Sequence, residues 1–214
     1  MASHYIITIA RTFGSGGKAA GLELSRRLGI PCYENEILDM ASEASGVNRA
    51  FFYENDLKAK HVFFRSMVRH TPREILKTVP TDRDFTSDKG LFGHQAELIR
   101  YLAVSQSCII IGKCADYILG SGRNIYRFFV DTDEESAIRE VEKRLGVDTK
   151  EAKRLISKTN KYRSDYYKYY TGKAWKDLSN YDLMINSSGI GIHNLPDLME
   201  EVLRLRNKGE LPIP

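Results

Sequence analysis

Tyr5-Ile6-Ile7-Thr8-Ile9-Ala10-Arg11-Thr12-Phe13-Gly14-Ser15-Gly16-Gly17-Lys18-Ala19 is the stretch that decides the fold. Residues 5–10 are apolar and β-branched, 11–17 are a glycine-rich loop, and Leu22, Leu24 and Leu28 then recur at helical spacing. The order is strand, loop, helix. The loop falls on the phosphate-binding pattern G-x-x-x-x-G-K-[ST], where glycines let backbone N–H groups converge on an anion at a helix N-terminus. Gly17 and Lys18 match it, whereas Thr12 stands at the first glycine and Ala19 replaces the hydroxyl that usually touches magnesium. The missing hydroxyl is a modest loss, because magnesium keeps several waters and leans on substrate phosphates. A plain glycine-rich turn is the competing reading; the strand before the loop and the helix after it favour the phosphate site.

Residues 30–33 form a second short strand, and 36–44 a helix with Ile37, Met40, Ala41 and Ala44 on one side, stopped near Ser45-Gly46. From 58 to 93 charge is mixed, Pro72 and Pro80 interrupt and no period holds, which predicts a lobe or mobile insert. Leu98, Ile99, Leu102 and Ala103 mark a helix before a third strand, Cys108–Ile111, that ends at Gly112-Lys113. Residues 125–130 are a fourth strand, and Thr132 with Glu135 predicts a capping box for the next helix. Asp148 and Glu151 can cap a strongly basic helix, residues 182–186 are a fifth strand, 187–189 a turn, and 195–205 the closing helix. Apolar strands alternating with helices predict an α/β fold with a mainly parallel sheet covered on both faces, its ligands lying beyond the carboxyl ends of the strands.

With 42% hydrophobic and 28% charged residues, the 214-residue chain is of the ordinary globular class, large enough for a full core in one generous domain. Its net charge of +4 does not by itself imply nucleic-acid binding, but residues 150–173 hold eight Lys and Arg against only Glu151 and Asp165. Cys32, Cys108 and Cys114 are odd in number and lack CxxC spacing, which predicts reduced thiols rather than a metal site. No signal-peptide pattern and no apolar run of about 18 residues is present, so a cytoplasmic protein without a membrane partner is expected. His61, His70, His94 and His193 show no metal spacing.

Arg154, Lys158 and Lys161 recur at i, i+4 and i+7 with Arg163 close behind, a row that can surround a transferring phosphoryl group. A solvated basic face is the alternative, although a row without acids on the same turns repels itself. Tyr162, Tyr166, Tyr167, Tyr169 and Tyr170 beside it could stack on single-stranded nucleic acid, or Tyr166, Tyr169 and Tyr170 could cover the core. Asp131, ending the fourth strand, either holds a magnesium-bound water or caps a helix. Glu34, Glu36 and Asp39 could hydrogen-bond a base or ribose, or simply open a solvated helix.

The start Ile7-Thr8-Ile9-Ala10-Arg11 with Phe13-Gly14-Ser15-Gly16-Gly17 resembles the cytidylate kinase-like family, a branch of the P-loop nucleoside monophosphate kinases. Cys108-Ile-Ile-Ile-Gly112-Lys113-Cys-Ala-Asp116-Tyr-Ile-Leu resembles a second block of that family. The run from Lys158 to Gly172, with Trp175 and Asn180-Tyr-Asp-Leu183, resembles its lid and last strand. The resemblance implies a single P-loop kinase domain over 1–214, with a five-stranded parallel sheet, a monophosphate-binding insert over 58–93 and a short basic lid over 150–173. It also implies transfer of the ATP γ-phosphoryl, with magnesium, to a nucleoside monophosphate, CMP or dCMP first. On that basis Gly14, Ser15, Gly16, Gly17, Lys18 and Ala19 would wrap the donor phosphates. Lys158, Lys161 and Arg163 would join Lys18 at the transferring group, and Asp131 would reach the metal through water. Tyr33, Glu36, Asp39, Gly112 and Lys113 would line the acceptor. The family usually has Arg at the place of Lys113 and Asp at that of Asn160, and its well-characterised cytidylate kinases carry an acid where Ile111 stands; these departures bear on the acceptor more than on the donor. A nucleotide-binding module without transfer, motivated by Ala19, Lys113 and Asn160, is the first rival. Single-stranded nucleic-acid binding ranks last.

Overall fold

The computed structural model describes residues 4–46, 48–50 and 88–208. In chain order the elements are β1 (Ile6–Arg11), α1 (Gly17–Leu28), β2 (Cys32–Tyr33), α2 (Glu36–Ser45), α3 (Asp88–Ser105), β3 (Cys108–Ile111), α4 (Ala115–Leu119), β4 (Ile125–Asp131), α5 (Glu134–Leu145), α6 (Thr149–Thr171), β5 (Leu183–Asn186), α7 (Ser187–Ile190) and α8 (Leu195–Arg206), with short 3-10 turns at Leu178–Asn180 and Ile192–Asn194. The chain divides into two compact units, Met1–Glu34 with Leu102–Pro214, and Asn35–Tyr101.

The first unit is built on a five-stranded sheet of order β2–β3–β1–β4–β5, parallel at every pairing. Alternation along the strands sends Ile7, Ile9, Ile109, Ile111, Phe128 and Val130 to one face. There they pack with Ala20 and Leu24 of α1 and with Leu195, Met199 and Leu203 of α8. Most of these side chains are wholly buried, each contributing about 1.5–3 kcal/mol of transfer free energy. Phe129, on the other face, meets the rings of Trp175 and Tyr181 at 5.1 and 5.0 Å between centroids. A smaller apolar cluster, Ala137, Ile138 and Val141 of α5 with Ala152 and Ile156 of α6, takes in Phe13 from the loop after β1. In the second unit α2 buries Ile37, Leu38 and Ala41, and α3 buries Leu91, Ala96, Leu98 and Ile99.

Three local expectations are corrected. Helix α5 is capped by Asp133, whose carboxylate accepts the Ser136 N–H, because the Thr132 N–H is itself held by Asp131. The tyrosines of α6 bury a different set: Tyr162 and Tyr167 are inside, while Tyr169 is 64% exposed. The basic row is also compensated, Arg154 pairing with Glu151 and Lys161 with Asp165. Residues 187–189 form most of the helical turn α7. The insert expected over 58–93 lies outside the described residues except for 88–93, which open α3, and the lid expected over 150–173 is almost wholly the single helix α6.

Candidate active site

From β1 the chain turns toward β2, and from β3 it turns back across to β4, so the crossovers diverge at the carboxyl ends of β1 and β3. A crevice opens at such a point in parallel α/β sheets. The glycine-rich loop leaves β1 there. Gly14 and Gly16 have φ of +86° and +82°; a Cβ on Gly14 would stand 2.8 Å from the Ala137 carbonyl oxygen, and one on Gly16 would overlap the Ile192 side chain. Both the left-handed backbone and the close approach require glycine. Ser15 is buried and donates its hydroxyl to the Thr12 carbonyl at 2.9 Å, so it serves the loop's own shape. Helix α1, beginning at Gly17 with Lys18 and Ala19, has no side-chain cap and no acid in its first turn, whereas α5 and α6 are capped by Asp133 and Asp148. Its orphan N–H groups and positive dipole end suit a phosphate.

Thr12, at the place of the pattern's first glycine, is 4% exposed and held on all sides. Its hydroxyl donates to Asp131 Oδ1 at 3.0 Å and its N–H to the Val130 carbonyl at 3.0 Å. Asp131 Oδ1 also accepts the Thr132 N–H, and Oδ2 accepts Lys176 Nζ at 2.7 Å. Helix α6 grips the backbone on either side of Thr12: Arg163 Nη1 donates to the Arg11 carbonyl at 2.9 Å, and Asn160 Oδ1 accepts the Phe13 N–H at 2.7 Å. The Phe13 ring lies beneath the guanidinium groups of Arg144 and Arg163, 5.0 and 5.9 Å from its centroid.

Glu34, directly after β2, has a role that its place in the sequence did not disclose. One carboxylate oxygen accepts from Arg11 and the other from Lys18. Burial pushes the Glu34 carboxyl up, but the charge of Arg11, the hydrogen bond and charge of Lys18 and the charge of Arg163 outweigh it and hold it below the usual carboxylate range. Ion pairs this far apart in sequence leave no spacing signal; the legible hint was an acid at the carboxyl edge of a strand.

The Arg11 guanidinium fills the space where a side chain on Gly112 would be. Gly112, Lys113 and Cys114 all have positive φ, 75°, 57° and 54°, a left-handed exit from β3 that costs the two non-glycine residues about 1–2 kcal/mol each. Tyr33, at the end of β2, accepts a hydrogen bond from the Gln106 amide at 2.9 Å. Glu36 and Asp39 are in α2 of the second unit, where Asp39 pairs with Arg49. Lys158 and Lys161 are on α6, and Lys161, with its side chain 75% exposed, turns to Asp165. The structure therefore gathers Lys18, Arg11 and Arg163 at the loop.

Loop and helix start have the glycines, free amides and lysine that a nucleotide's phosphates need. Among the described residues no group of three or more His, Cys, Asp or Glu could hold a metal ion, and both carboxylate oxygens of Asp131 are engaged, Oδ1 by Thr12 and Thr132 and Oδ2 by Lys176. No helix among the described residues is long and apolar enough to cross a membrane.

Among curated proteins none matches the sequence. The chain is similar to the crystal structure of an uncharacterized protein from Eubacterium ventriosum, with 25% identity over 95% of this chain and 99% of that one and a TM-score of 0.65. It is also similar to a shikimate kinase from Bacteroides thetaiotaomicron, at 13% identity over 94% of this chain and 98% of that chain (TM-score 0.48), and to a gluconokinase from Sinorhizobium meliloti, at 12% over 98% and 99% (TM-score 0.45). The model of the cytidylate kinase-like family matches residues 6–189, from the first residue of β1 to beyond β5. The loop, the sheet that carries it and the helix that grips it all fall within that match, and the chain belongs to the cytidylate kinase-like family.

Proposed function

We propose that the protein transfers the γ-phosphoryl group of magnesium-bound ATP to a nucleoside monophosphate, with CMP or dCMP the first acceptors to test. The observation that carries the reading is the convergence of Lys18, Arg11 and Arg163 on the glycine loop at an uncapped helix N-terminus. In-line phosphoryl transfer needs positioning and charge neutralisation more than a covalent nucleophile, and this chain supplies both. Gly14, Ser15, Gly16, Gly17 and Lys18 wrap the donor phosphates, with Ala19 in the same helical turn. A lysine about 4 Å from a phosphate charge is worth about 4 kcal/mol at a partly buried site. Magnesium bound together with the nucleotide would offset part of the phosphates' charge. Lys158, Lys161 and Arg163 act from the lid over 150–173. Tyr33, Glu36, Asp39, Gly112 and Lys113 serve the acceptor together with the insert over 58–93. A reaction between soluble nucleotides suits a cytoplasmic setting.

Glu34 favours a second reading in which the acceptor presents a hydroxyl. An ionised carboxylate beside Lys18 repels a phosphate dianion and accepts a hydrogen bond from an alcohol. Incubation with magnesium-ATP and each of CMP, dCMP, UMP, AMP and GMP, beside a panel of polyols and hydroxy acids, separates the two. A nucleoside diphosphate product supports the first reading, and a phosphorylated alcohol supports the second. ATP binding without any product would leave a nucleotide-binding module.

A further inference from the structure

We infer that Asn160 is a positioning residue of the phosphate loop, holding the Phe13 amide so that the loop keeps its shape without its first glycine. The inference rests only on the donor half of the reading above, that the loop binds ATP, and not on any acceptor.

Glycine at the head of the loop pattern allows backbone freedom, and Thr12 removes that freedom. The structure compensates with side chains. The carbonyl before Thr12 is taken by Arg163, the Thr12 hydroxyl by Asp131, and the amide after it by Asn160, at 2.9, 3.0 and 2.7 Å. Two of the three grips come from one helix, α6, three residues apart, and so from one face of it. The same helix is anchored below by Tyr167, whose hydroxyl donates to the buried Asp116 at 2.6 Å, and by Ala152 and Ile156 in the apolar cluster that also takes in Phe13. The basic helix is therefore tied to the loop backbone as well as offering charge near it.

The Phe13 N–H needs an acceptor oxygen, and either Asn or Asp supplies one in the same place. Asparagine does so without adding a negative charge beside the donor phosphates. Leucine has nearly the same size but no acceptor, and leaves a partly buried N–H unmet.

The test uses the full chain and magnesium-ATP, with binding measured by calorimetry at low and high salt and exchange of the Phe13 amide followed by NMR. Asn160→Leu should bind ATP roughly tenfold or more weakly at both salt concentrations and exchange the Phe13 amide faster, in keeping with the loss of the acceptor of a partly buried N–H. Asn160→Asp should keep the amide protected, with a smaller loss of affinity that fades as salt rises, because only charge has been added. Three results overturn the inference: Asn160→Leu binding within twofold of wild type, tighter binding in that variant, which would mean that Asn160 competes with ATP for the amide, or Asn160→Asp losing amide protection as Asn160→Leu does. If Asn160→Leu fails to fold, the protection and salt response of Asn160→Asp still decide the matter.

Discussion

Replacing Asp116 by Asn should make the protein more stable at neutral pH and remove part of its pH dependence. Asp116 lies in α4, just after the left-handed exit from β3, is 4% exposed and accepts the Tyr167 hydroxyl of α6. Burial pushes its carboxyl up to about 6, opposed chiefly by the Tyr167 hydrogen bond. An unfolded aspartate titrates near 3.9, so the native state holds this proton more tightly than the unfolded chain does. The contribution is therefore fully present below about pH 4 and is lost as pH rises through about 6. Keeping the charge buried at pH 7.5 then costs on the order of 3 kcal/mol relative to the unfolded chain. Asparagine can still accept the Tyr167 bond but carries no charge. In urea unfolding between pH 4 and 7.5, the stability of Asp116→Asn relative to wild type should climb by that order. Taking the difference between the two proteins cancels the remaining carboxylates, several of which shift the other way. A difference that stays flat with pH, or one that turns against the variant at pH 7.5, would refute the reasoning.

Two further outcomes follow from the loop. Gly16→Ala, forced to φ +82° and into Ile192, should lose about 2–4 kcal/mol from left-handed strain and overpacking, seen as a lower melting temperature; an unchanged melting temperature contradicts the loop geometry. Glu34→Gln should bind magnesium-ATP more tightly at low salt, by about fivefold since Lys18 is half-exposed and the pair is worth only about 1 kcal/mol, with the gain shrinking as salt is added. Because Glu34 sits below its ordinary range, its own contribution to stability is present above about pH 4.3 and lost as pH falls. The variant should thus be flatter on the acid side in the same unfolding experiment.

The strand–loop–helix start was legible because strand, glycine loop and lysine are contiguous, and the central strands β1, β3 and β4 because buried parallel strands read as continuous apolar runs. The rest depended on contacts between distant residues. Glu34 meets Arg11 and Lys18 from 23 and 16 positions away, and Asn160 meets Phe13 from 147. The Thr12–Asp131–Lys176 chain joins three separate elements in the same way. The tyrosine face of α6 was misread because two different neighbours set it: the α5 cluster buries Ala152 and Ile156, whereas Asp116 takes Tyr167 five residues beyond the buried Tyr162. The pairing of Arg154 with Glu151 and of Lys161 with Asp165 was legible as i, i+3 and i, i+4 spacing, but net charge over the segment concealed it.

ATP-dependent transfer to a nucleoside monophosphate through Lys18 is reached directly by one assay. Purified protein and Lys18→Ala are incubated with magnesium-ATP and each monophosphate, products are resolved by anion exchange, and circular dichroism checks that the variant is folded. Wild type should yield a diphosphate from CMP or dCMP, and the folded variant should yield none. Turnover near the wild-type rate in Lys18→Ala, or no diphosphate from any monophosphate with wild type, would contradict transfer through Lys18.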